Sequence, residues 1–103
     1  MDRKKLDQLW KDLKAARRSP QKASALEALA RDAGRTVQAG GNHPMWKSAF
    51  VAHRAFPIGR HGGNPDLSPR VRKVILDHLE ADAAAWEDWL DEKNAEPEEE
   101  GEE

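Results

Sequence analysis

The residues of this chain best suited to moving protons near neutral pH are its four histidines, since an unperturbed imidazole titrates at about 6.5. Three of them, His43, His53 and His61, fall in one stretch, Gly40–Leu67, reading GGNHPMWKSAFVAHRAFPIGRHGGNPDL. The same stretch holds three of the six prolines and both phenylalanines. His43 follows Gly40-Gly41-Asn42, residue types that tolerate positive φ and close tight turns. An imidazole so placed can accept a proton from a hydroxyl nucleophile such as an RNA 2′-OH. Without other context, however, a histidine in such a turn is more often a surface residue. The histidines are spaced 10, 8 and 17 residues apart, which fits no compact metal signature, and the chain has no cysteine. That excludes disulfides, thiolate nucleophiles and Cys-based zinc sites. No cofactor is called for.

Charge points to a partner. From Met1 to Leu76 there are 16 Lys and Arg against 6 Asp and Glu, while from Asp77 to Glu103 there is 1 basic residue against 13 acidic. A basic body therefore carries an acidic end, and the body has the sign of a polyanion binder. Lys47 and Arg60, on expected strands either side of the His43 turn, are candidate phosphate ligands. Arg70, Arg72 and Lys73 open a helix, where backbone N–H groups add to their charge. They fit a phosphate site and a solubilising face equally well. With no apolar leader and no run long enough to span a bilayer, a soluble, cytoplasmic protein is expected.

The elements that must position these residues follow from periodicity. Residues 2–17 form an amphipathic helix with Asp2 as N-cap and Leu6, Leu9, Trp10 and Leu13 on one face. Ser19-Pro20 is the signature of a second helix start, with Ser as N-cap and Pro at the first helical position, running to Ala33 and capped by Gly34. Strands are expected at Arg35–Ala39, Met45–Val51 and Ala55–Arg60. Pro57 argues for an edge position or a bulge in the last of them. Ser68-Pro69 starts the last helix, whose stripe of Val71, Val74, Ile75, Leu79, Asp82, Trp86 and Trp89 or Leu90 extends to about residue 90. Beyond Asp91 the composition predicts disorder. The domain plan is a helical extension over 1–18, an α+β domain over 19–90 and a disordered acidic tail over 91–103. Without its first helix the order is αβββα, with a three-stranded antiparallel sheet covered by helices on one face.

This order resembles the HicA family of bacterial toxins. The resemblance covers Ala25 to Leu79 and rests on GGNH at Gly40–His43, FPIGRHGG at Phe56–Gly63 and NPDLSPRVRKVIL at Asn64–Leu76. The family's Gly-Ser-His turn is Gly-Asn-His here. The resemblance implies a double-stranded-RNA-binding-like (dsRBD-like) fold, mRNA cleavage as the toxin of a type II toxin-antitoxin system, and a HicB-like antitoxin as partner. It also implies that His43 is the catalytic general base.

Other residues keep two readings. His61 is the acid partner of His43 or a strand end that fixes the Gly62-Gly63 loop. His53 and His78 read as ordinary turn and helix residues. Trp46 and Phe50 suit base stacking, but so small a chain needs them for its core. Trp86, Trp89 and Leu90 pack on the N-terminal helix or on another chain, where Leu6, Leu9 and Trp10 would complete a homo-oligomer seam. The acidic tail could also fold back on the basic body. The competing function is a non-catalytic nucleic-acid-binding or protein-interaction module on the same fold.

Overall fold

The computed structural model describes residues 1–38, 44–59 and 63–101, with side chains given as far as Lys93. The first helix, α1 (Arg3–Ala16), starts where Asp2 caps it, the carboxylate accepting the Lys5 N–H at 2.8 Å. Its apolar positions recur with helical spacing, and Leu6, Leu9, Leu13 and Ala16 are buried.

The second helix, α2 (Ala23–Asp32), begins three residues after the expected Ser19-Pro20 start. The reason is a competing interaction. Gln21 and Lys22 are extended, with the Gln21 carbonyl accepting the Leu67 N–H at 2.8 Å and Lys22 bridging to Asp66. Lys22 supplies no side-chain cap. Asn64, 40 residues away, takes that role: its Oδ1 accepts the Ser24 N–H at 3.0 Å and its Nδ2 donates to Ser24 Oγ at 2.9 Å. At the other end the expectation for Gly34 holds. It adopts φ +91° while its N–H reaches the Arg31 carbonyl and that of Arg35 the Ala30 carbonyl, the paired bonds of a Schellman motif.

Three short strands follow: β1 (Thr36–Gln38), β2 (Met45–Lys47) and β3 (Phe56–Pro57), in sheet order β1-β2-β3 with both pairings antiparallel. The fold is therefore α+β with a three-stranded antiparallel meander. The second strand stops well short of Val51. Ser48 leaves the ladder because its Oγ accepts the Phe50 N–H at 3.0 Å, and the His53 N–H then bonds the Phe50 carbonyl to form a turn. Cross-strand partners share a face, so Val37, Trp46 and Phe56 look one way and Met45, Lys47 and Pro57 the other. Trp46 and Phe56 are buried, with Ile58 beside them, while Met45, Lys47 and Pro57 are exposed.

The last helix, α3 (Pro69–Gly101), starts as its Ser-Pro signature requires, with Ser68 Oγ accepting the Val71 N–H at 3.2 Å. It continues ten residues past Asp91, where the composition had suggested that order would end. Ile75, Leu76, Leu79 and Ala83 are buried in one core with the apolar faces of α1 and α2. α1 runs antiparallel along α3, joined by Arg17 to Glu80 at 2.7 Å, Trp10 Nε1 to Glu87 at 2.7 Å and Arg3 to Asp91 at 3.0 Å. The partner for Trp86 and Leu90 is thus found within the chain, and Leu6 and Leu9 are consumed by it.

Candidate functional site

The register gives the sheet two distinct ends. At one, Gln38, Met45 and Pro57 form the last rung, where β1 ends, β2 begins and β3 ends. At the other, Thr36 pairs with Lys47, preceded by Arg35 and followed by the Ser48–His53 turn. The direction of α3 follows from its contacts. His78 stacks on Phe56 at 5.0 Å, Asp82 meets Arg35, Ser48 and His53, and Trp86 meets Phe50 at 4.8 Å. Going back from His78 towards Pro69, the helix leads to the Gln38–Met45–Pro57 end.

His43, Arg60 and His61 lie outside the described residues. Arg70 and Lys73 are exposed on the first turns of α3 and Arg72 is half-buried. Arg72 and Lys73 line a groove of about 330 Å³ together with Arg17, Pro69 and Leu76. The groove is only partly free to take an anion, because Lys73 and Arg17 both pair with Asp77. Hydrogen bonds from Lys73, and then Arg17, hold the Asp77 carboxyl below its ordinary range. Arg17 is pushed up, first by its bond to Glu80 and then by Asp77. Lys47 is exposed at the opposite end of β2, in the rung with Thr36, and does not join the α3 residues.

That opposite end holds the most organised polar cluster among the described residues. Asp82 is fully buried, and Arg35 is 2% exposed. Arg35 Nε donates to Asp82 Oδ2 at 2.6 Å and its Nη2 to Oδ1 at 3.2 Å, a bidentate pair. Its Nη1 reaches the carbonyls of Trp46 and Arg54 at 3.0 and 2.9 Å, and its guanidinium lies 4.4 Å from the Phe56 ring centroid. Asp82 Oδ1 also accepts Ser48 Oγ at 3.2 Å and sits 2.6 Å from His53 Nδ1. The His53 side chain is 25% exposed, and its Nε2 has no partner among the described residues.

The sequence carried a signal for this cluster. Asp82 interrupts an apolar stripe, so it must be buried, and a buried carboxylate requires a cation. Nothing in the spacing identifies that cation as Arg35 or assigns His53 to the same carboxylate. Trp46 is a core residue, cradled by Arg31 at 5.0 Å, and is not available for stacking. No group of three metal-ligating side chains converges among the described residues, and no helix among them is long and apolar enough to cross a membrane. No family model, no curated protein and no solved structure matches the chain.

Proposed function

We propose that this chain is a HicA-like ribonuclease, the toxin of a type II toxin-antitoxin pair. Its basic body binds mRNA, His43 takes the proton of the attacking 2′-hydroxyl, and a HicB-like antitoxin covers the site. The supporting observation is topological. Gln38, Met45 and Pro57 share the last rung of the sheet, and α3, followed back from His78 towards Arg70, Arg72 and Lys73, leads to that same end. A dsRBD-like arrangement, with helices against the inner face of the sheet, agrees with the burial of Trp46 and Phe56 beside Arg31 of α2 and His78 of α3. In this reading basic side chains hold the phosphate and the imidazole supplies the base.

The test is cleavage of single-stranded RNA by the purified chain and by its His43→Ala variant, with folding checked by circular dichroism. A folded variant slower by about 100-fold or more supports the assignment. Undiminished cleavage would overturn it. Salt-dependent RNA binding by the wild type with no cleavage would assign the chain to the non-catalytic alternative.

A further inference from the structure

Four cations on α1 have no counter-ion. Lys4, Lys11, Lys14 and Arg18 are exposed, and none of their side chains has an ion pair or hydrogen bond among the described residues. Lys4, Lys11 and Arg18 recur every seven residues, about 10 Å apart along the axis, so they share one face. Lys14, one turn before Arg18, stands on the same side.

The packing of α1 fixes that face outward. Leu6, Leu9, Leu13 and Ala16 are buried on the opposite side. Towards α3, Arg3, Trp10 and Arg17 are tied to Asp91, Glu87 and Glu80. Towards α2, Lys5, Gln8 and Asp12 line a cleft with Arg31 and Asp32. Asp7 is the one carboxylate within the stripe, at the end near Lys4. The other end runs into a second basic group. Because α1 is antiparallel to α3, Arg17 shares a groove with Arg72 and Lys73 from the first turns of α3, and Arg18 brings the stripe to it. The nearby carboxylates of Asp77 and Glu80 are already engaged by Arg17 and Lys73.

The chemistry of the face selects its partner. Besides charges it presents only Ala15, with no aromatic or large aliphatic side chain. Protein interfaces are anchored by such groups and depleted in lysine. A phosphate backbone needs only positive charge at intervals. We infer that the outer face of α1 is a grip for the RNA backbone: Lys4, Lys11, Lys14 and Arg18 hold phosphates whatever the base and lead the strand to the Arg72–Lys73 groove. The inference rests on the RNA reading above and gives a substrate-holding role to a helix outside the HicA-like span.

The test uses the full chain and a short single-stranded 2′-O-methyl oligoribonucleotide of mixed sequence, which lacks the attacking hydroxyl and survives the measurement. Affinity is read by fluorescence anisotropy across a salt series for the wild type and two variants, with helicity checked by circular dichroism. Lys11→Gln with Arg18→Gln removes two charges from the stripe. Lys5→Gln with Lys93→Gln removes two exposed lysines that lie off it. The stripe variant should bind more weakly and flatten the slope of log affinity against log salt by about 1.4, at about 0.7 for each lost phosphate contact. The control variant should keep the wild-type slope. A slope unchanged by the stripe variant, or changed equally by both, would overturn the grip and leave the ribonuclease reading, which cleavage tests, intact. Tighter binding of poly-L-glutamate than of the oligonucleotide would also overturn it and assign the face to acidic proteins. A wild type that neither binds nor cleaves RNA would remove both.

Discussion

At the scale of single residues, the fold depends most on a charge that never meets water. Asp82 and Arg35 are buried together, and removing one partner strands the other in a low-dielectric interior. Asp82→Ala should cost about 3–5 kcal/mol, seen as a lowered midpoint in urea denaturation. It should also free the Ser48–His53 turn, whose side chains share that carboxylate. Part of this was legible beforehand. An aspartate in step with Ile75, Leu79 and Trp86 announces a buried ionic contact, and Gly34 was readable as a helix terminator. The imidazole was not legible. His53 looks like any turn histidine until a residue 29 positions away, on another element, is known to face it. Side-chain convergence of this kind is set by packing angles that periodicity does not encode.

At the scale of elements, the two Ser-Pro dipeptides show how local chemistry succeeds and fails. Ser68-Pro69 starts α3, with Ser68 Oγ accepting the Val71 N–H as the local signature requires. Ser19-Pro20 does not start α2, because the backbone of Gln21 and Lys22 is claimed by the segment ahead of α3. The cap comes instead from Asn64, which no local rule could supply. Asn64→Ala should therefore destabilise α2 by about 1 kcal/mol, measurable as a reduced thermal midpoint, although Asn64 lies outside that helix. The α1–α3 contact carries a pH signature. Asp77 titrates below its unfolded value, so its contribution is complete above the ordinary carboxylate range and disappears as pH falls through the lower folded value. The stability gap between wild type and Asp77→Asn should accordingly narrow as the solution is acidified below about pH 4. The gap itself should be small, because the Asp77 side chain is 49% exposed and screened.

At the scale of the whole molecule, the helix read as an extension is part of the core. Leu6 and Leu13 are fully buried, and Leu9 is 2% exposed. A chain lacking residues 1–18 should lose cooperative unfolding by circular dichroism, since it would expose the apolar face of α3 that α1 covers. Helical periodicity made α1 legible as a helix, but the partner of its apolar face could be named only from the tertiary contacts. The same pairing bears on how the protein is made. The bonds joining α1 to α3 link residues 63, 77 and 88 positions apart, among the longest separations the chain allows. Closing such loops is the slow part of folding for a small domain. During synthesis the first helix must wait, its apolar face covered only by α2, until the last helix has emerged. Native structure then arrives late and as a unit. If the chain is a toxin, the step that arms it is also the one that completes its fold, and a partner that grips the unpaired α1 or α3 could intervene before any site exists.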